Sequence, residues 1–227
     1  MINSELFWHT VSSLSQGIGP TLYIGLSAIL YSLVLGLALA LVRVSNTVAA
    51  PLALAYSTFF RGTPLLIQLF IVYFGVGTLP TLKNVPLLWS LLNDRTSCAI
   101  FVISLNSAAY ISEVFRGGFQ SVPAGQMEAA RAIGMSPWQQ FKRVRFPLAI
   151  RQALPAYSNE VILVIKGTSL ASTITVLDIT GQARRIMSQN YAIVETFVVA
   201  GLLYLIINFS LLGLIHLLER WLHIQRR

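Results

Sequence analysis

The sequence QMEAARAIGMSPWQQFKRVRFP, residues 126–147, is a polar island in a chain that is otherwise rich in apolar residues. Its first half has the spacing of a helix, with Glu128 and Arg131 three residues apart, where the side chains of a helix meet. Gly134 is expected to end this helix, because glycine readily takes the left-handed conformation found at helix C-termini.

A second short helix is expected directly after the glycine. Ser136 can cap its N-terminus, Pro137 suits the first helical position, and Gln139 completes a capping box. Two short helices joined by a glycine turn would suit a segment that binds another protein. A basic cytoplasmic loop that only fixes membrane topology is the other interpretation, but such a loop has no reason to carry two capped helices.

This stretch resembles the EAA signature of the permease subunits of ATP-binding cassette (ABC) importers. The matching positions are Glu128, Ala129, Ala130, Gly134 and Pro147. Val144 and Phe146 depart mildly from the family pattern, which ends in I-x-L-P. The resemblance implies that residues 123–147 form a cytoplasmic coupling segment, which sits in a groove of the ATPase subunit and transmits ATP-driven closure to the membrane helices.

The composition is that of an integral membrane protein. Hydrophobic residues make up 55% of the 227 residues, charged residues make up 11%, and the mean hydropathy is +0.70. One spanning helix needs about 20 apolar residues, so the length allows five or six spans and no separate soluble domain. The net charge of +8 is spread by topology and is not gathered on one basic face, so no nucleic-acid partner is expected.

Five transmembrane helices are predicted in an all-α fold, covering residues 18–42, 49–77, 97–115, 154–177 and 192–218. Residues 178–191 are expected to form an external loop. With the N-terminus outside and the C-terminus in the cytoplasm, four cationic residues lie outside: Lys83, Arg95, Arg184 and Arg185. Ten lie inside: Arg43, Arg116, Arg131, Lys142, Arg143, Arg145, Arg151, Arg220, Arg226 and Arg227. This bias agrees with the positive-inside rule.

Two patterns in the first and third spans predict helix packing. The first span has a small residue at every fourth position: Ala28, Ser32, Gly36 and Ala40. Such a stripe allows another helix to approach closely. In the third span Asn106 and Glu113 share a helix face, and Arg116 follows Glu113 by one turn, which predicts a polar helix contact ending in a surface ion pair.

The second span is interrupted by Arg61, Gly62, Thr63 and Pro64, so it must bend or start late. Arg61 is expected to act as an anchor, extending its charge towards the inner surface. The sequence FRGTPLLIQLF, residues 60–70, also resembles the polar amino acid branch of the permease family.

The fourth span is the most polar and supplies the candidate substrate path. Asn159, Lys166 and Thr173 are seven residues apart and nearly aligned on a helix, while Glu160 lies about 100° from them. Glu160 can therefore border the same cavity with the opposite charge, which would suit a zwitterion with a cationic side chain. The alternative is a salt bridge between Glu160 and a partner permease.

Patterns typical of enzymes are missing from the sequence. It has no P-loop, no H-E-x-x-H, no C-x-x-C and no G-x-S-x-G. His9, His216 and His223 lack the spacing of metal ligands. No catalytic residue, cofactor or metal is therefore expected. Together with this absence, the resemblance implies a transport permease whose energy source is a separate subunit.

The resemblance extends from about Thr21 to the final span and includes LPAYSNEVI, residues 154–162, and KGTSLAS, residues 166–172. It is to permeases of the histidine, lysine-arginine-ornithine and opine type in the bacterial inner membrane. The implied partners are two ATP-binding subunits, a second homologous permease subunit in a heterodimer, and a periplasmic amino-acid-binding protein. An ion-coupled secondary transporter using Glu160 is the alternative, although five spans without an inverted repeat disfavour it. The sequence leaves open which amino acid or opine is carried.

Overall fold

All regular secondary structure is helical in the residues that the computed structural model describes, 4–45 and 47–221. The α-helices are α1 Ser4–Ser15, α2 Ile18–Val44, α3 Ala50–Gly62, α4 Leu65–Phe70, α5 Pro86–Asn93, α6 Arg95–Gln120, α7 Ala124–Ala132, α8 Pro137–Gln140, α9 Phe146–Gly167, α10 Ile179–Asn190 and α11 Ile193–Trp221. The π-helical turn Ile71–Gly75 extends α4, and the π-helical turn Phe141–Arg145 joins α8 to α9. Three 3₁₀ segments are Val76–Thr78, Pro80–Asn84 and Thr168–Ile174.

Three helical stretches of the described chain are each long and apolar enough to cross a membrane: Phe7–Val44, Arg95–Gln120 and Ile193–Leu217. Two further crossings form if each bent pair counts as one span. The first pair, Ala50–Gly62 with Leu65–Thr78, bends by 101°, and the second, Pro137–Ile174 with Ile179–Gln189, bends by 44°. The predicted all-α membrane fold is confirmed, while the points where the chain meets the bilayer remain predictions.

Two regions differ from the sequence prediction. The helix of the fourth span is continuous from α8 through α9 and so begins well before residue 154. The prediction that residues 178–191 form a loop is wrong, because most of them form α10. Asp178 is buried and caps this helix by accepting a hydrogen bond from the Gly181 amide at 2.8 Å. Arg226 and Arg227, counted among the cytoplasmic charges, and His223 lie outside the described residues.

Helix α6 lies at the centre of the fold, with α2 and α9 packed against it. The small-residue stripe of α2 is buried, as predicted. A Cβ atom at Gly36 would lie 2.6 Å from Cγ2 and 2.8 Å from Cβ of Ile111, closer than side chains can pack, so glycine permits this approach of α2 to α6. Gly118 likewise permits the close approach of α6 to α9, since a Cβ at this position would lie 2.6 Å from the Ala149 carbonyl oxygen.

Candidate functional site

The polar segment 123–147 has the predicted helix, turn and helix. After α7, the Gly134 amide donates to the Arg131 carbonyl at 2.9 Å and the Met135 amide donates to the Ala130 carbonyl at 3.1 Å. These two bonds are those of a Schellman motif, and Gly134 has the positive φ of 77° that this motif requires. The glycine is therefore needed for its backbone conformation.

The second helix of the segment starts with the predicted capping box. The Gln139 amide donates to Ser136 Oγ at 3.4 Å, and the Ser136 amide donates to Gln139 Oε1 at 3.0 Å. The Gln140 side-chain amide also donates to the Met135 carbonyl at 2.8 Å, across the turn. These local bonds fix the relative direction of α7 and α8.

The segment presents both polar and apolar side chains on its surface. Ala130 is buried, whereas Glu128, Ala129 and Pro147 are exposed. Among the described residues, Glu128 forms no ion pair with Arg131, so the expected i,i+3 pair is wrong. Ile133 is 72% exposed and Trp138 is 66% exposed.

Aromatic rings connect this segment to the long helices. Phe119, near the end of α6, is 1% exposed. Its ring centroid lies 6.1 Å from that of Phe141 and 6.2 Å from that of Phe146. Trp138 stacks on Phe141 at 5.8 Å, and the Arg145 guanidinium lies 5.9 Å from the Phe119 centroid. We call Phe119, Trp138, Phe141 and Phe146 the aromatic cluster. It joins the surface of α8 to α6 and α9 through packed rings.

The bend between α3 and α4 is held by side-chain amides. The Gln68 Nε2 atom donates to the Phe60 carbonyl at 3.0 Å and to the Thr63 carbonyl at 3.1 Å. Asn106 of α6 donates to the same Phe60 carbonyl at 3.1 Å and to Gln68 Oε1 at 3.0 Å. The carbonyl groups freed by the break at Pro64 thus have partners, as an apolar environment demands. The polar helix contact predicted for Asn106 is confirmed.

Glu113 is the centre of a larger charge cluster than the sequence predicted. It pairs with Arg116, whose Nη2 lies 2.8 Å from Glu113 Oε2, as predicted from the sequence. It also pairs with Arg43 of α2, and Arg61 Nη1 of α3 lies 3.3 Å from Oε1. The Glu113 side chain is only 20% exposed, so the predicted surface ion pair is instead a partly buried cluster of one carboxylate and three guanidinium groups.

Glu160 lines a cavity of about 230 Å³ between α4, α6 and α9. Its other walls include Leu65, Asn106, Tyr110 and Gly167. The polar side chains of this cavity come from two separate parts of the sequence, α6 and α9. Asn106 therefore both stabilises the bend between α3 and α4 and lines the cavity.

The other residues of the predicted substrate path are not among those that line the Glu160 cavity. Lys166 lines a groove of about 340 Å³ beside Tyr204 and Asn208 of α11. Asn159 is exposed on α9. Thr173 lies in the 3₁₀ segment and donates to the Leu170 carbonyl at 2.6 Å. Because α-helical periodicity ends at Gly167, the alignment expected for Thr173 does not hold.

The chain is similar to known transport proteins along most of its length. The family model described as "Binding-protein-dependent transport system inner membrane component" matches residues 32–224. The nopaline transport system permease protein of Agrobacterium fabrum is 46% identical over 224 residues, which cover 98% of this chain and 93% of that protein.

A second relative is the histidine/lysine/arginine/ornithine transport system permease protein of Salmonella typhimurium. It is 40% identical over 209 residues, which cover 91% of this chain and 88% of that protein. Among solved structures, a chain of "an amino acid ABC transporter with histidines" superposes with a TM-score of 0.83 and 29% identity, over 97% of this chain and 99% of that one.

Proposed function

Because the chain belongs to the family of binding-protein-dependent transport system inner membrane components, we propose that it is the permease subunit of an ABC importer of basic amino acids or opines. The observation that carries this proposal is the family match along residues 32–224. Glu160 in a cavity among the central helices adds support, since an anionic group in a membrane helix needs a partner or a polar path.

The proposed complex contains two ATP-binding subunits, a second homologous permease subunit and a periplasmic amino-acid-binding protein. ATP is hydrolysed by the separate subunits, because the sequence has no P-loop. We place the complex in the bacterial inner membrane, with the N-terminus of this chain in the periplasm and its C-terminus in the cytoplasm. The ten cytoplasmic against four external cationic residues support this orientation.

The segment 123–147 is proposed to dock into the ATPase subunit. Its surface carries the EAA-type residues Glu128 and Ala129 and the exposed apolar side chains of Ile133 and Trp138. Large exposed apolar side chains of this kind are typical of protein contact surfaces. The aromatic cluster gives the movement of the docked segment a packed route to α6 and α9.

The substrate path is proposed to run past α9. Glu160 would bind the cationic end of the substrate, while Asn159 and Lys166 would border the path on other faces of α9 and Thr173 would follow them in the 3₁₀ segment. The printed names of the relatives support the substrate class, because one names nopaline and another names histidine, lysine, arginine and ornithine.

The test is uptake of radiolabelled L-arginine into proteoliposomes that contain the complete complex and binding protein. We expect uptake to require ATP and the ATPase subunits, and Glu160→Gln to raise the half-saturation concentration while the complex still assembles. Glu195→Gln on α11 is the matched control. Unchanged uptake by an assembled Glu160→Gln complex would refute the substrate role, and ion-driven uptake without the ATPase subunits would refute the importer.

A further inference from the structure

Three guanidinium groups surround the single carboxylate of Glu113. Arg43 comes from α2, Arg61 from α3 and Arg116 from α6, and all three lie within ion-pair distance of Glu113. The cluster therefore has an excess of two positive charges. These like charges repel one another, and water screens them less in a partly buried site than in bulk solvent. An additional anion would relieve this repulsion.

Arg61 is the member of the cluster that can best bind such an anion. Its side chain is 42% exposed, against 30% for Arg116 and 9% for Arg43. Arg61 Nη1 lies 3.3 Å from Glu113 Oε1, an oxygen that also binds Arg43, whereas Arg116 holds Oε2 with two nitrogen atoms, each at 2.8 Å. A guanidinium group has five N–H donors. Most of those of Arg61 have no acceptor among the residues that the structure describes.

The Arg61 side chain is oriented by Tyr110 of α6. The guanidinium carbon lies 5.7 Å from the Tyr110 ring centroid, and the Tyr110 hydroxyl donates to the Arg61 carbonyl at 3.4 Å. The ring covers one side of the guanidinium group and leaves the exposed side open to an acceptor. Although Tyr110 lines the Glu160 cavity, Arg61 is not among the residues that line it.

The members of the cluster lie near helix ends that are cytoplasmic in the proposed orientation. Arg43 is in the last turn of α2, Arg61 is in the last turn of α3, and Arg116 lies four residues before the end of α6. Helix α3 also exposes large apolar side chains, with Leu52 73% and Phe59 62% exposed. Basic pockets between membrane helices at the cytoplasmic surface are typical sites for anionic lipid headgroups.

We propose that Arg61, together with Arg116, binds the phosphate group of an anionic phospholipid of the cytoplasmic leaflet. The planar fork of guanidinium matches a phosphate group, which it can bind through two hydrogen bonds. The acyl chains would cover exposed apolar side chains of α3, which free phosphate cannot do. This inference goes beyond the proposed function and depends on it only for the orientation of the chain.

The test is a titration of the purified complex of permease and ATPase subunits with dioctanoyl-phosphatidylglycerol, measured by native mass spectrometry. Dioctanoyl-phosphatidylcholine, which has a phosphate group but no net charge, and inorganic phosphate are the comparison probes. We expect phosphatidylglycerol to bind more tightly than phosphatidylcholine, and inorganic phosphate not to displace it. Arg61→Gln should weaken phosphatidylglycerol binding by about tenfold, from loss of a charged hydrogen-bonded pair.

Arg61→Lys keeps the charge but not the fork, so it should weaken phosphatidylglycerol binding less than Arg61→Gln does. It also tests the site if Arg61→Gln does not assemble, since unchanged binding by Arg61→Lys would then contradict the role of the fork. Arg151→Gln is the matched control, because it removes one exposed guanidinium group that is also assigned to the cytoplasmic side. It should leave the affinity nearly unchanged.

Equal losses of affinity in Arg61→Gln and Arg151→Gln, or no loss in either, would overturn the site. Displacement of the lipid by inorganic phosphate at the same concentration would show that the cluster binds a free anion, and would overturn the lipid as its ligand. Binding is measured without transport, so its outcome is separate from that of the uptake test. A complex that imports no L-arginine but binds the lipid through Arg61 would contradict the proposed function alone.

Discussion

Replacement of Phe119 tests whether the aromatic cluster carries motion between the coupling segment and the membrane helices. Phe119 is 1% exposed, and its ring packs on Phe141 and Phe146. Truncation of such a buried ring to alanine costs about 3–5 kcal/mol. If this free energy is lost from the packing of segment 123–147 against α6 and α9, the equilibrium between the packed and the unpacked segment shifts by about 100-fold or more. Phe119→Leu keeps most of the apolar surface and should cost less than about 1.5 kcal/mol.

The assay is the ratio of substrate transported to ATP hydrolysed in proteoliposomes containing the assembled complex. We expect Phe119→Ala to lower this ratio strongly, with ATP still hydrolysed, and Phe119→Leu to lower it slightly. Phe59→Ala, which removes a ring that is 62% exposed on α3, is the control. A normal ratio in an assembled Phe119→Ala complex would show that motion does not pass through the cluster.

Three further substitutions test other contacts. Gly134→Ala should weaken ATPase binding by about 1–2 kcal/mol, because alanine disfavours the positive φ of this residue. Gly134→Asn should weaken binding less, since asparagine tolerates this conformation. Equal losses of binding in a pull-down titration of the two variants would contradict the backbone argument. Gly118→Ala should lower the melting temperature of the complex through its clash with α9, whereas Gly117→Ala, with open space around it, should not. Arg184 and Arg185 are both exposed on α10. Reversing their charge should reduce the stimulation of ATPase activity by the binding protein at low salt but not at high salt, because salt screens exposed charges. The same loss at both salt concentrations would exclude an electrostatic contact.

The helices and the turn of segment 123–147 were predictable from the sequence because their structure is set by local bonds. Ser136 and Gln139 bond each other across three residues, and Gly134 closes the preceding helix by bonds within a single turn. Such preferences act in short peptides as well as in proteins. The small-residue stripe of α2 was predictable for a related reason, since helical period alone places its members on one face.

The charge cluster could not be predicted, because its members are distant in sequence. Arg43 precedes Glu113 by 70 residues, and Gln68 precedes its partner Asn106 by 38. Periodicity indicates which residues share a face, but it does not indicate which helix covers that face. The polar helix α10 was mistaken for a loop, although Asp178 three residues before Gly181 was an available N-cap signal.

The bend at Pro64 also sets an order for membrane insertion. Helix α3 has 13 residues, fewer than the roughly 20 that cross a bilayer, and its last carbonyl groups depend on Gln68 and on Asn106 of α6. Asn106 leaves the ribosome after the whole bent pair has been made. The bent pair of α3 and α4 therefore cannot reach its final shape alone, and we expect it to enter the bilayer together with α2 and α6. In a nascent chain that stops before Asn106, the bent pair of α3 and α4 should be open to protease.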